Sequence, residues 1–284
     1  MNSLVLAPFS PSGLTFLESL GHVYYEPWLE TQKIYDPYDL ADLLSQRDCQ
    51  ILIVEADFLL SELFESSKDL KFAAICRGEL NQIDIEAATL HGITIIHTPG
   101  RNAQAVAELV IGQMFNLARH LTHSHNFVKQ HLWENPIEPY LKFVGRELSS
   151  SILGIIGLGN IGTKLANLAA GLNMRVLGYD PYRARNHLPG GVEITDLDTL
   201  LETSDFVTVH IPPTPDNNGL LDESKLSLMK HDAFLISSSH PSIIDIDALC
   251  DRLTLGYLAG VAVDVHETHP ILPNSPLTQF QNVL

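Results

Sequence analysis

Three glycines and one aspartate form the pattern in this chain that most directly indicates a chemistry. Gly157, Gly159 and Gly162 follow an apolar run and precede a helical pattern, and Asp180 comes 18 positions after the last glycine, at the end of a second apolar run. The first glycine of such a unit makes a tight turn, the second lets the backbone approach a pyrophosphate, and the third lets helix and strand pack closely. Free N–H groups at the start of the helix favour a phosphate. The spacing therefore predicts a dinucleotide site.

Asp180 discriminates between the two nicotinamide cofactors. A carboxylate at the end of the second strand accepts hydrogen bonds from ribose hydroxyls and repels a 2′-phosphate, so NAD is favoured over NADP. Two plainer interpretations compete, because a glycine pattern by itself can serve packing and Asp180 can be only a strand-end cap. The complete order of strand, turn, helix, strand and acid favours dinucleotide binding over both.

The second half of the chain supplies the elements that would hold this site. From Ile152 onward, short apolar runs alternate with helical patterns. The predicted strands are ILGIIG, RVLGYD, FVTVHI, AFLISSS and LAGVAVDV, and a loop is predicted after RVLGYD. The predicted helices are LGNIGTKLANLAAGL, LDTLLETS, LDESKLSLMK and DIDALCDRLTLG. This alternation predicts a parallel sheet covered by helices on both faces.

The first hundred residues show a second series of the same kind. The predicted strands are Leu4–Ala7, His22–Tyr25, Ile51–Glu55, Phe72–Cys76 and Ile93–His97. The predicted helices are Gly13–Leu20, Tyr38–Leu44, Leu60–Glu65 and Asp84–Leu90. Strand and helix again alternate, so this region should form its own doubly wound parallel sheet.

A long apolar helix is predicted between the two series, from Ala103 to about His120, after a break at Pro99 and Gly100. The stretch from His123 to Phe143 is polar and aromatic, and we predict a loop-rich connection with a short helix near His125–His131. The predicted fold class is α/β with two doubly wound parallel-sheet domains. Residues 1–98 form a flavodoxin-like first domain, and residues 99–284 form a Rossmann domain inserted after it.

Composition narrows the possible partners. The chain has 17 Lys and Arg against 34 Asp and Glu, a formal net charge of -17, so nucleic acid and anionic membrane surfaces are not expected to bind. The 3 cysteines are widely separated, which argues against a disulfide framework and a zinc site, and favours the cytoplasm. No apolar run approaches the length of about 18 residues that indicates a membrane span.

At the level of whole motifs the sequence resembles the D-isomer-specific 2-hydroxyacid dehydrogenases, the family of D-3-phosphoglycerate dehydrogenase. The motifs that carry the resemblance occur in family order over nearly the whole chain: CRGELNQIDIEAAT, AVAELVIGQMFNLAR, GRELSSSILGIIGLGNIG, VHIPPTPDNNGLL, LAGVAVDVHETHP and LTQFQNVL. The ELN of the first motif departs from the usual glycine-rich form. The resemblance implies an NAD-dependent oxidoreductase acting on a 2-hydroxy or 2-oxo acid.

The resemblance also implies roles for individual residues around the cofactor and the substrate. Asn160 and Ile161 would lie at the pyrophosphate, and Asp264 would hold the carboxamide. The cofactor site would further include Pro212, Asn217, Ser238, Ser239 and His240. Arg77, Gly78 and Glu79 would lie in the loop that binds the substrate carboxylate through backbone N–H groups.

The catalytic positions of the family are changed in this chain. An Arg that holds the substrate carboxylate is replaced by His240, followed by Pro241. The Glu that pairs with the catalytic His is replaced by His269, although a local shift could bring in Glu267. The catalytic His itself would follow Leu284, and the first domain would lack its usual C-terminal return helix. Imidazole has no bidentate fork for a carboxylate, so 2-oxo acid reduction is predicted to be slow.

Three functional hypotheses therefore stay open at this stage. The first is a 2-hydroxyacid dehydrogenase, and the second is an NAD(H)-binding pseudoenzyme without catalytic activity. The third is a truncated fragment of a dehydrogenase. Substrate identity is not predicted.

Two further expectations concern histidines and assembly. His120, His123, His125 and His131 lie close in sequence, but no carboxylate or cysteine completes a ligand set, so a solvated surface is favoured over a metal site. Family members pair through the long helix, so a homodimer through Ala103–His120 is expected.

Overall fold

The computed structural model of the protein describes residues 1–183 and 191–284. The chain divides into two compact units, Met1–Arg101 and Asn102–Leu284. The sequence predicts a domain boundary after residue 98, and the first compact unit ends at Arg101. Each of the two units contains its own sheet.

The first unit is a parallel sheet with the strand order β2-β1-β3-β4-β5. Its strands are β1 Asn2–Val5, β2 Val23–Tyr25, β3 Cys49–Val54, β4 Phe72–Ile75 and β5 Thr94–His97. Its helices are α1 Pro11–Glu18, α2 Trp28–Thr31, α3 Pro37–Gln46, α4 Ser61–Ser66 and α5 Ile85–Leu90. This is the flavodoxin-like order of a doubly wound sheet.

Local sequence explains why these helices begin where they do. Ser10, Asp36 and Asp84 each precede a helix and accept a hydrogen bond from a backbone N–H of its first turn. Such caps satisfy donors that have no partner inside the helix. The central strand β3 is almost entirely buried, because helices pack on both faces of the sheet.

The second unit is a parallel sheet with the strand order β11-β10-β9-β6-β7-β8. Its strands are β6 Ile152–Ile156, β7 Arg175–Tyr179, β8 Val192–Ile194, β9 Phe206–Val209, β10 Phe234–Ser237 and β11 Gly260–Val263. Its helices are α6 Ala103–Arg119, α7 Leu121–Lys129, α8 Glu138–Lys142, α9 Asn160–Gly171, α10 Leu197–Thr203, α11 Glu223–Leu228 and α12 Ile246–Thr254. Read from β8, this is the Rossmann order of a dinucleotide-binding sheet.

Two buried clusters hold the second sheet between its helices. One face packs α10, α11 and α12 around Leu200, Leu235 and Leu249. The other face packs α6 and α9 around Met114, Leu165 and the strand residues between them. The chain therefore buries the sheet that carries the glycine motif from both sides.

The predicted fold class is confirmed, and the boundary errors have local causes. The sequence missed α2 and β8, both of which are short. The loop predicted after Asp180 extends over residues 184–190, which lie outside the described part of the chain.

The predicted loop-rich stretch from His123 to Phe143 is wrong in two places. α7 already begins at Leu121 and ends before His131, because His120 adopts a left-handed conformation that ends α6 and starts a new helix at once. A further short helix, α8, carries Pro139 in its first turn, where the missing N–H costs nothing.

Candidate active site

The glycine motif forms a tight turn between β6 and α9. Gly157 has φ 93°, a left-handed conformation that favours glycine, and its N–H donates to the Tyr179 carbonyl at 2.8 Å. A Cβ at this position would lie 2.6 Å from the backbone oxygen of His210. A side chain here would therefore force the turn away from the neighbouring strand end.

The other two glycines differ in what surrounds them. A Cβ on Gly162 would lie 2.0 Å from the carbonyl oxygen of Gly157, so helix and turn can pack only if this residue has no side chain. A Cβ on Gly159 would meet no described atom within 4 Å, and Gly159 and Asn160 are exposed. The backbone at the start of α9 thus faces open space.

Among residues 1–183 and 191–284, no side chain caps the N-terminus of α9. The first N–H groups of a helix have no partner within it, so those at Asn160 and Ile161 are available to an anion. This arrangement fits a pyrophosphate, because backbone donors and open space occur at the same place.

Asp180 is tied to the glycine turn. Its Oδ2 accepts from the Leu158 N–H at 2.9 Å, and its Oδ1 accepts from the Tyr182 N–H at 3.0 Å. The Tyr182 bond is a local strand-end cap, but the Leu158 bond joins the carboxylate to the glycine turn 22 residues away. An ionised carboxylate offers about four acceptor sites, so capacity for ribose hydroxyls remains.

The carboxyl ends of β9, β10 and β11 bring together the other predicted residues of the second unit. The register pairs Val209 with Ser237 and Ser237 with Val263, so the residues that follow these strands emerge at one edge. Those residues are His210, Ser238, Ser239, His240 and Asp264. Ligands bind at the carboxyl ends of strands in open α/β sheets.

Side-chain hydrogen bonds fix the segment after β10 against the one after β9. The Ser238 hydroxyl lies 2.8 Å from His210 Nδ1, and the Ile211 N–H donates to the Ser239 hydroxyl at 3.0 Å. The sequence contains no signal for the pairing of His210 with Ser238, because that pairing depends on strand register.

Burial lowers the pKa of His210 from 6.5 to about 4. Its ring is therefore neutral at physiological pH. Its Nε2 is buried and has no hydrogen-bond partner among the described residues.

His240 is exposed and ends the segment. It precedes a short 3-10 turn at Pro241–Ile243, and its Nδ1 accepts from the Ser242 N–H at 3.2 Å. The structure thus places His240 beside the cofactor residues and gives its imidazole a specific hydrogen bond.

Pro212, Asn217 and Asp264 complete the predicted cofactor set. The Asn217 side-chain amide donates to the Pro212 carbonyl at 3.0 Å, which closes the loop after β9. The Asp264 N–H donates to the Ser237 carbonyl at 3.0 Å, and its carboxylate belongs to an exposed residue.

Glu267 and His269, the two candidates for the position of the Glu that pairs with the catalytic His in the family, lie in different surroundings after β11. Glu267 lines a cavity of about 350 Å³ together with Ser237, Ser239 and Pro241, whereas His269 is an exposed residue outside that lining. Sequence reasoning did not predict this cavity, because its wall combines the end of β10 with the distant 265–277 segment.

Arg77, Gly78 and Glu79 follow β4 in the first unit and are exposed. The Arg77 carbonyl accepts from the Thr98 N–H at 2.9 Å, and His97 Nδ1 lies 2.9 Å from the Gly78 carbonyl. Within the described residues, the N–H groups of Gly78 and Glu79 donate to no acceptor. The loop therefore presents free backbone donors, which an anion requires.

Residues 1–183 and 191–284 contain no group of three or more His, Cys, Asp or Glu side chains arranged for a metal ion. In the same residues, no helix is long and apolar enough to cross a membrane.

A family model matches residues 111–284 of the chain, and its description is the NAD binding domain of the D-isomer specific 2-hydroxyacid dehydrogenases. The chain belongs to this family. It is an NAD-binding oxidoreductase of the 2-hydroxyacid dehydrogenase class, and the hypothesis of an inactive pseudoenzyme is not favoured.

Named relatives agree with this assignment. YoaD of Bacillus subtilis (strain 168) is 35% identical over 272 residues, which are 95% of this chain and 78% of YoaD. The glyoxylate reductase of Thermofilum pendens is 35% identical over 237 residues, 82% of this chain and 69% of that enzyme. The solved structure of D-2-hydroxyisocaproate dehydrogenase is 22% identical and has a TM-score of 0.84, with 100% of this chain and 88% of that chain covered, which shows a common fold.

Proposed function

We propose that the protein is a dehydrogenase that interconverts a 2-hydroxy acid and its 2-oxo acid with NAD(H). The observation that carries this proposal is the convergence of His210, the Ser238–His240 segment and Asp264 at one sheet edge, next to the glycine turn. Hydride transfer requires that the substrate carbonyl is held against the nicotinamide, and polar groups at this edge would orient the two.

The residues of the second unit fit NAD. The N–H groups at Asn160 and Ile161 would bind the pyrophosphate, and Asp180 would accept from the ribose hydroxyls. Pro212, Asn217, Ser238 and Ser239 would border the rest of the cofactor, and Asp264 would accept from the carboxamide. When bound, NAD(H) supplies the hydride acceptor or donor.

The first unit would bind the substrate carboxylate. Gly78 and Glu79 offer free N–H groups, and Arg77 contributes a cation in the same turn. Backbone donors bind carboxylates without a side-chain fork. This would make Met1–Arg101 the substrate unit and Asn102–Leu284 the cofactor unit.

His240 would lie at the reacting end of the site, whereas His269 lies outside the cavity lined by Ser239 and Glu267, so catalysis would be less efficient. An imidazole supplies at most two donors, whereas a guanidinium supplies five in a planar fork. His269 is also not a carboxylate and cannot stabilise a neighbouring imidazolium by charge. We therefore expect turnover below about 1 s⁻¹, under the usual enzymatic range.

A steady-state assay of NADH oxidation tests the proposal. The purified chain should bind NADH and oxidise it slowly with glyoxylate or hydroxypyruvate, and no oxidation should occur without a 2-oxo acid. The absence of any 2-oxo-acid-dependent oxidation, with NADH bound, would contradict the proposed activity. Turnover well above about 1 s⁻¹ would instead contradict the expected loss of efficiency.

The proposal includes a homodimer and a cytoplasmic location. The outer side of α6 exposes Ala105, Leu109 and Gly112, small or apolar residues that let a second helix approach. Large apolar side chains are also exposed beyond it, at Leu121, Val128, Leu132, Trp133, Ile137, Tyr140, Leu141 and Val144.

The proposed cytoplasmic location is supported by the three free cysteines, because a reducing compartment keeps cysteines as thiols.

A further inference from the structure

His240 has only one nitrogen available to a substrate. A backbone N–H can only donate, so the 3.2 Å bond from the Ser242 N–H requires that His240 Nδ1 carries a lone pair. The Ser242 hydroxyl lies 2.9 Å from the same nitrogen. In the neutral ring the proton must then be on Nε2.

The backbone around His240 makes this bond a structural requirement of the turn. Pro241 has no N–H, so the Ser242 N–H is the first donor of the 3-10 turn, and the imidazole is its cap. An imidazolium has a proton on both nitrogens and could not accept this bond. The cap therefore stabilises one neutral tautomer.

Hydrogen bonds of Ser238 and Ser239 restrict the backbone movements that would break this cap. Ser238 is bound to His210, and Ser239 accepts from the Ile211 N–H. The Ser239 N–H also donates to the Ser237 hydroxyl at 3.4 Å. His240 follows directly on this anchored run, and among residues 1–183 and 191–284 its Nε2 has no acceptor.

We propose that His240 acts as a neutral hydrogen-bond donor, through Nε2–H, to the oxo group of the 2-oxo acid. The backbone N–H of Ser242 holds this tautomer. This inference rests on the proposed function and specifies one interaction in it. His240 would polarise the substrate carbonyl with a single uncharged donor. A single uncharged donor matches a neutral oxo oxygen, whereas a carboxylate is bound by charge or by several donors.

The tautomer can be read directly by nitrogen NMR on the full chain labelled with ¹⁵N-histidine. The signals of His240 are assigned by their loss in His240→Gln. At neutral pH we expect a protonated Nε2 and an unprotonated Nδ1, both in the wild type and in Ser242→Ala, which keeps the backbone N–H. A protonated Nδ1 in the wild type, as the other tautomer or as the imidazolium, would overturn the inference.

The substrate role is tested with oxamate, a non-reducible 2-oxo acid analogue, titrated into the NADH-loaded chain. His240→Gln keeps a side-chain N–H donor and should bind oxamate within about 2-fold of the wild type, whereas His240→Leu should bind about 3- to 10-fold more weakly. Circular dichroism and thermal unfolding like those of the wild type would exclude a folding defect in both variants, and oxamate is titrated at saturating NADH. Equal oxamate affinity in the two variants would overturn the role of His240. A wild type that binds NADH but no oxamate would overturn the proposed function itself, while the NMR result would still decide the tautomer.

Discussion

Asp180 uses both oxygens of its carboxylate, since Oδ2 accepts from the Leu158 N–H in the glycine turn and Oδ1 accepts from the Tyr182 N–H at the end of its own strand. Its charge is thereby held beside the start of α9. A negative charge at this point would favour ribose hydroxyls and repel an added phosphate.

We expect Asp180→Asn to reduce discrimination against NADPH. The variant is nearly isosteric but removes the charge, so NADH should bind about 10-fold more weakly and the ratio of NADPH to NADH dissociation constants should fall by about 10-fold or more. Fluorescence titration with both cofactors measures the ratio, which cancels any general damage to the turn. An unchanged ratio would show that Asp180 is only a strand-end cap.

His210 should make the protein less stable in mild acid. Its pKa in the folded state is about 4, below the 6.5 of an unperturbed histidine, because burial disfavours the imidazolium. The unfolded chain therefore takes up a proton first as the pH falls. The free energy of unfolding is therefore unaffected by protonation of His210 above pH 6.5. As the pH falls to about 4, protonation of His210 in the unfolded chain lowers this free energy by up to about 3 kcal/mol.

Urea unfolding from pH 7 to pH 4 measures this effect when the wild type is compared with His210→Asn. The variant cannot titrate at this position but keeps an amide near the Ser238 hydroxyl. The wild type should lose more unfolding free energy than the variant over this range. Parallel losses in the two proteins would mean that His210 is not buried in its neutral form.

At the scale of elements, the close contact between α9 and the turn after β6 requires that residue 162 has no side chain. Gly162→Ala would place a Cβ 2.0 Å from the Gly157 carbonyl oxygen, so the helix or the turn must shift. We expect a loss of about 1–3 kcal/mol in unfolding free energy and weaker NADH binding.

Gly171→Ala is the matched control, because Gly171 lies on the same helix and its Cβ would meet no described atom within 4 Å. Alanine is the better helix former, so this variant should be as stable as the wild type or gain up to about 1 kcal/mol. Chemical unfolding and NADH titration of both variants separate close packing from helix propensity. Equal effects at the two positions would contradict the packing argument.

At the scale of the whole molecule, the proposed dimer predicts a solution mass of about twice the 31.4 kDa of the chain. Leu109→Glu places a charge on the exposed face of α6, where a partner helix would bury it, and should shift the protein toward the monomer. Leu90→Glu, at a leucine 84% exposed in the first unit, should leave the mass unchanged. Sedimentation velocity distinguishes the outcomes, and a monomeric wild type would exclude the dimer.

The sequence by itself determined the dinucleotide unit and both parallel sheets. Gly157, Gly159 and Gly162 lie within six residues, and the alternation of strands and helices repeats along the chain. These signals are local, because turn geometry and burial periodicity depend on neighbouring residues. β8 escaped prediction because three residues carry too little periodicity.

The tertiary structure alone decided how the site residues are joined. The bonds from Asp180 to Leu158 and from His210 to Ser238 span 22 and 28 residues. The cavity lined by Glu267 likewise joins the end of β10 to the 265–277 segment, which is distant in sequence. No spacing rule encodes such contacts, because strand register and loop path place those atoms, and both depend on how the whole sheet packs against its helices.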